Sequence, residues 1–279
     1  MSYKEILVQT GSRPTDAARL NLAVDLAKRS QAALTGVFLT PPPAWSAYVP
    51  TVETGPAFAS TSLAGSALEQ DEAVRREAAL AEQALRLAAA AEGLEPVFHT
   101  VPDDAASLTV LARKFDLTIL PAPGAASAGV NASADSVALS CGGPVVVVHE
   151  AWESQPVGSQ VMLAWDGSRE SARAMKDALP LLKTAKGVDV VIVDHAEATR
   201  DAETALVAYL GKHGVSTSVL RTASENQPIG EALLRMARRL DSDLIVMGAY
   251  GHARLRELVL GGATQRLLQH ARVPLFMSH

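Results

Sequence analysis

One cysteine, Cys141, stands among 279 residues, which excludes an intramolecular disulfide and any thiolate metal cluster within one chain. Aromatic residues are scarce as well, at 4%. The apolar 48% of the chain therefore rests on Ala, Val and Leu, a mixture that suits helices covering buried parallel strands and disfavours an all-β fold. Lys and Arg are nowhere concentrated: 25 basic against 30 acidic residues leave a net charge of -5. A duplex-binding face needs a basic patch, so no nucleic-acid partner is expected. No run of about 18 apolar residues occurs, and the apolar stretch after Glu5 is too short for a secretory leader. The expectation is a cytoplasmic protein that binds no membrane.

What the chain does have is alternation. Short β-rich runs are separated by helical patterns throughout, which predicts βαβ units and parallel sheets. The first half predicts strands at Glu5 to Gln9, Ala33 to Leu39, Glu95 to Val101, Leu117 to Leu120 and Pro144 to His149. The second predicts them at Val161 to Trp165, Val188 to Asp194, Ser216 to Leu220, Leu244 to Met247 and Val273 to Met277. The same succession twice implies a duplication. Thr10-Gly11-Ser12 is matched with Asp166-Gly167-Ser168, Asp116-Leu117 with Asp243-Leu244, Gly124 with Gly251, and Pro144 with Pro274.

Polar, Pro and Gly character from Ala151 to Ser159 marks a linker, so the domains are expected at 1–150 and 151–279. The first copy carries an insertion at about 40–65, rich in Pro, Gly and Ser, followed by an Ala-rich helix from about Leu68 to Ala91. Each copy ends in an apolar strand, and the two copies are expected to pair through these last strands as an intramolecular pseudo-dimer. Whether two chains then form a homodimer is left open.

One segment carries chemistry. Leu244-Ile245-Val246-Met247-Gly248-Ala249-Tyr250-Gly251 is followed by nine residues and then Gly261-Gly262-Ala263-Thr264. A strand, a glycine loop and a helix start in this order expose backbone amides at the positive end of a helix dipole, an arrangement that binds phosphate. The same glycines also fit ordinary turns and caps. Asp166 is expected at the carboxyl end of the first strand of the second copy, beside the fourth strand at the reversal point of a doubly wound sheet. It serves there as a ribose or adenine acceptor or as a helix cap.

The spacing Gly248, two residues, Gly251, nine residues, Gly261 resembles the ATP-binding loop of the universal stress protein (UspA-like) family, and the duplicated five-strand succession is similar to its tandem members. The resemblance implies two tandem doubly wound five-stranded parallel-sheet α/β domains of strand order 3-2-1-4-5, adenine-nucleotide α-hydrolase-like. It implies ATP, or ADP or AMP, with or without Mg, in the second domain. By position, Ala164, Trp165 and Asp166 correspond to the family's first-strand contacts and His195 to its second-strand backbone contact. Met247, Gly248 and Gly251 correspond to the ribose and phosphate side of the loop, and Gly261, Gly262, Ala263 and Thr264 to the following helix start. His252 and Arg254, with Arg256, lie in the spacer, where they face phosphate or water.

Gly262 stands where ATP-binding members carry Ser or Thr, which removes one hydroxyl donor; Thr264 is a candidate replacement. The first copy has Pro121-Ala122-Pro123-Gly124 at the loop position and is read as degenerate, since proline lacks the amide. Cys141 is read as part of a tight turn into the last strand, and the carboxylate pairs Asp103-Asp104 and Asp241 with Asp243 as caps or solvated groups around helix ends. No Walker lysine or water-activating base accompanies the loop, so at most weak ATP hydrolysis is expected. The functional expectation is a stress-response nucleotide-binding protein. The alternative is an interaction module of the same fold that binds no nucleotide.

Overall fold

The computed structural model describes residues 2–42, 59–123, 134–194, 200–250 and 262–279. The strands among them are β1 (Glu5–Gln9), β2 (Ala33–Thr40), β3 (Val97–Pro102), β4 (Leu117–Pro121), β5 (Val145–Val148), β6 (Gln160–Ala164), β7 (Gly187–Val193), β8 (Thr217–Thr222), β9 (Leu244–Gly248) and β10 (Leu275–Ser278). The helices are α1 (Asp16–Ser30), α2 (Ala59–Ala90), α3 (Ala105–Ala112), α4 (Ala134–Ser140), α5 (Arg169–Asp177), α6 (Leu179–Leu182), α7 (Arg200–Lys212), α8 (Ile229–Arg239) and α9 (Gly262–His270). All ten expected strands are present, shifted at their ends by a residue or two. Helix α2 begins at Ala59, inside the expected insertion; most of the rest of that insertion, 43–58, lies outside the described residues.

The hydrogen-bonded order is β3-β2-β1-β4-β5-β10-β9-β6-β7-β8, so each half runs 3-2-1-4-5 and the two join into one sheet. Within each half every pairing is parallel. The join is antiparallel, with Phe276 opposite Val146. The last strands therefore pair as their apolar sequence leads one to expect. All four residues of β5, Val145 to Val148, are buried, because the strand has a neighbour on both sides and helices over both faces.

Two apolar layers cover the sheet. One contains Leu20, Leu85, Met175, Leu182 and Leu210 from α1, α2, α5, α6 and α7. The other contains Leu108, Val137, Leu234 and Leu267 from α3, α4, α8 and α9. Both layers cross the join: Val146 and Phe276 belong to the first, Val147 and Leu275 to the second. Phe276 is fully buried, and burying such a side chain contributes about 1.5–3 kcal/mol.

The duplicated aspartates have the same work in both halves. Asp116 accepts the amides of Lys4 (2.6 Å) and Glu5 (3.1 Å). Asp243 accepts those of Gly158 (2.8 Å), Ser159 (2.8 Å) and Gln160 (2.9 Å). Each ties the start of a half's first strand to the start of its fourth, which explains why an Asp precedes a leucine at both places. Another landmark is corrected. Gln9 lies opposite Val37, and Ala164 opposite Val191. The next amides, of Thr10 and Trp165, bond to the carbonyls of those same residues at 2.7 and 2.9 Å. Thr10 is thus the counterpart of Trp165, and Gly11 that of Asp166. The Gly-Ser pairs that suggested the other alignment belong to turns of unequal length and do not share a strand register.

Candidate functional site

The carboxyl ends of β6 and β9 lie side by side, with Leu163 opposite Val246, at the point where the second half's strand order reverses. Past β6 the chain turns sharply. Gly167 takes φ +77, a conformation that suits glycine, and Asp166 Oδ1 accepts the Ser168 amide at 2.9 Å. Ser168 then caps α5 by accepting the Ser171 amide at 3.1 Å. Asp166 itself is exposed, Trp165 is half-buried, and Ala164 is buried.

Gly248, at the end of β9, is pressed against this helix start. A Cβ placed on it would lie 2.5 Å from the Ser171 nitrogen and 2.6 Å from the Glu170 carbonyl carbon. The close approach of strand and helix backbone therefore demands glycine here with or without a ligand. Met247 is buried and contributes to the core beneath the rim. Glu170, 8% exposed, pairs with Arg169 at 2.8 Å. Burial opposes its charge, but hydrogen bonds and the positive charge of Arg169 hold its carboxyl below the usual range.

Beyond Gly248 the chain is fixed from two sides. Ala249 donates its amide to the Ser278 carbonyl at 2.8 Å, and its own carbonyl accepts from His279 Nδ1 at 2.9 Å. Tyr250 follows at φ +60, unusual for a residue with a side chain. Its amide bonds to Thr264 Oγ1 at 3.4 Å. Thr264 is 3% exposed, so its hydroxyl faces the backbone after β9. Gly262 is exposed and Ala263 half-buried, and a Cβ at Gly262 would meet open space. His195, Gly251, His252, Arg254, Arg256 and Gly261 lie outside the described residues. Of the expected site, Asp166, Gly248 and Thr264 with their neighbours come to one rim.

Sequence reasoning missed Asp194, Tyr250 and His279. Asp194, past the end of β7, takes φ +53 and accepts the Ser224 amide at 2.8 Å. That bond, with help from the Ser224 hydroxyl, lowers the pKa of its carboxyl. These contacts join residues far apart in the chain, and no local periodicity announces them.

The corresponding turn of the first half is closed by its own side chains. Arg19 donates to Asp16 Oδ1 and to the Gln9 carbonyl, both at 2.8 Å, and Asp16 Oδ2 accepts the Arg13 amide at 3.0 Å. Asp16 and Arg19 are both buried. A Cβ on Gly11 would meet Asp16 Oδ2 at 2.1 Å, so the ion pair fills the space beside β1. Gly124 is outside the described residues. A cleft of about 600 Å³ does open in this half, at the ends of β2 and β3, between Thr40, Asp71, Arg75 and Asp104. It lies apart from the β6–β9 rim, and Asp104 is engaged there in capping α3 through Ser107.

Cys141 is buried, its thiol within 3.2 Å of the Gly143 carbonyl, and burial raises its pKa. A neutral, enclosed thiol beside Gly142 at φ +77 fits the tight turn. Among the described residues no group of three or more His, Cys, Asp or Glu is placed to hold a metal. No helix among them is long and apolar enough to cross a membrane.

Comparison with known proteins agrees with this architecture. Residues 159–279 match the model of the universal stress protein family. A universal stress protein from Archaeoglobus fulgidus aligns over 98% of this chain and 95% of its own, 15% identical, with a TM-score of 0.70. A protein of unknown function from Pseudomonas aeruginosa aligns over 99% and 92%, 14% identical, with a TM-score of 0.56. A universal stress protein solved in complex with cAMP covers 54% of this chain at 18% identity and a TM-score of 0.33. No curated protein matches the chain. At these identities the likeness to the Archaeoglobus fulgidus and Pseudomonas aeruginosa structures shows the fold alone.

Proposed function

We propose, from the match of residues 159–279 to the universal stress protein family model, that this chain is a cytoplasmic stress-response protein that binds ATP, or ADP or AMP, in its C-terminal half. The chain divides into domains 1–150 and 151–279, held as an intramolecular pseudo-dimer, and nucleotide occupancy changes conformation or partner affinity. The observation that carries this reading is the rim at the order reversal, where exposed Asp166 and the Gly248 strand end converge. Ligands of open α/β sheets bind outside the carboxyl ends of strands at such a point.

Asp166 supplies a carboxylate for ribose hydroxyls or an adenine amino group. Backbone amides around Gly251 and at Gly262, Ala263 and Thr264 supply donors for phosphate, and His195, His252 and Arg254 complete the proposed set. The buried ion pair in the first half leaves nucleotide binding to the second. Hydrolysis is slow or absent, since no Walker lysine and no water-activating base accompany the glycine loop in the sequence.

Titration calorimetry of the whole chain with ATP, ADP and AMP tests the proposal, alongside mass spectrometry of ligand released from fresh protein. Micromolar binding that is lost in Asp166→Ala, with the melting temperature kept, supports it. No heat with any of the three refutes it. A second reading, an interaction module without nucleotide, is favoured by Gly248 and Thr264, whose glycine and hydroxyl are both accounted for by internal packing.

A further inference from the structure

The backbone just after β9 leaves the sheet in a conformation that its own sequence does not favour. Tyr250 sits at φ +60, in the left-handed region that disfavours a residue with a Cβ, and it is 7% exposed. Such a conformation persists only where the surroundings fix it. Two side chains do so. Thr264 takes the Tyr250 amide from one side, and His279 reaches the Ala249 carbonyl from the other at 2.9 Å. Ala249 is fully buried, so water does not compete freely for that carbonyl. Because the acceptor is a carbonyl, the imidazole proton is on Nδ1 in the neutral ring, and the protonated ring makes the same bond.

We propose that His279 is a positioning residue for the nucleotide rim: by holding the Ala249 carbonyl it fixes the backbone of Ala249 and Tyr250, where the chain leaves β9 beside Gly248. The inference rests on the nucleotide reading above. It concerns a residue outside the glycine motif, on the neighbouring strand's continuation. A rim backbone fixed before the ligand arrives binds more tightly than one that must be ordered.

The test uses stereochemistry within the full chain. In His279→Asn the side-chain amide nitrogen occupies the place of Nδ1, whereas in His279→Gln it occupies the place of Nε2. His279→Ala and His279→Gln are expected to weaken ATP binding roughly two- to tenfold, the worth of one neutral hydrogen bond, while His279→Asn stays within about twofold of the parent. Hydrogen exchange at the Ala249 and Tyr250 amides gives a readout independent of nucleotide, faster in the Ala and Gln variants and restored in Asn. Parent-like ATP affinity and exchange in His279→Ala overturn the inference, as does an Asn variant as weak as Ala. If the parent itself binds no ATP, the nucleotide reading fails, and the role proposed for His279 in binding falls with it, whatever the exchange data show about the tether.

Discussion

Adding a single methyl group at Gly248 separates packing from ligand binding. In Gly248→Ala the new Cβ would lie 2.5 Å from the Ser171 nitrogen and 2.6 Å from the Glu170 carbonyl carbon, about 1 Å inside ordinary contact. Both are backbone atoms in the first turn of α5, so no flexible side chain can swing away. Either α5 or β9 has to move, and overpacking of this kind costs about 1–3 kcal/mol. For a cooperative unit of this size that lowers the melting temperature by about 2–12 °C. Gly262→Ala is the control. Its Cβ meets nothing within 4 Å, and replacing glycine at a helical position with open space is neutral or stabilising by up to about 1 kcal/mol. The assay is thermal and urea unfolding of both variants without nucleotide, followed by the same with ATP. If Gly248→Ala is as stable as the parent without nucleotide, the steric reasoning is refuted.

Gly262→Ser adds a hydroxyl at a site with room for it, and is expected to tighten ATP binding roughly two- to tenfold by calorimetry. Unchanged or weaker affinity would show that no phosphate oxygen comes within reach of residue 262. Asp243→Ala strands three part-buried amides and is expected to cost about 3 kcal/mol in urea unfolding. Asp116→Ala strands two exposed ones and should cost about 1 kcal/mol or less. Equal losses would contradict the burial argument. Tyr3 is buried, and burial, then Asp177 and Asp116, raises its pKa well above the ordinary value. Its contribution to stability is therefore complete below about pH 10 and is lost as pH rises beyond that. Urea midpoints between about pH 8 and pH 11 should fall along this limb, and Tyr3→Phe should flatten it. A limb equally steep in the variant would rule Tyr3 out as its source.

Much of the architecture was legible because it is written locally. Runs such as Val145 to Val148 and Leu244 to Met247 are too apolar for an exposed surface, and their alternation with helical patterns implies crossovers. Positions lost by a residue or two, as at β10, reflect pairing: Pro274 accepts from Ile245 through its carbonyl but has no amide to donate, so the ladder begins at Leu275. The exchange of Thr10 for Gly11 as the counterpart of Asp166 has a similar origin. Turn residues look alike in sequence, whereas register is decided by which carbonyl the next amide meets. Gly248 was legible as a necessary glycine but not for its reason, because the atoms that forbid a side chain belong to α5. Thr264 and His279 lie further still from what local pattern reveals. Each is defined by an atom it meets after β9, and neither the Tyr250 conformation nor the bond to Ala249 leaves a trace in spacing or composition.

The antiparallel seam between β5 and β10 has a geometric corollary. Since all strands within a half are parallel, the carboxyl ends of β1–β5 and those of β6–β10 point to opposite poles of the molecule. The cleft beyond β2 and β3 and the rim beyond β6 and β9 thus look away from each other, with the full height of the sheet between them. Two bound molecules would never meet or exclude one another sterically, and any message passing between the poles has to cross the join, through the paired strands to which Val146 and Phe276 belong and the side contacts of Tyr3 with Asp177 and Arg173 with Gly142.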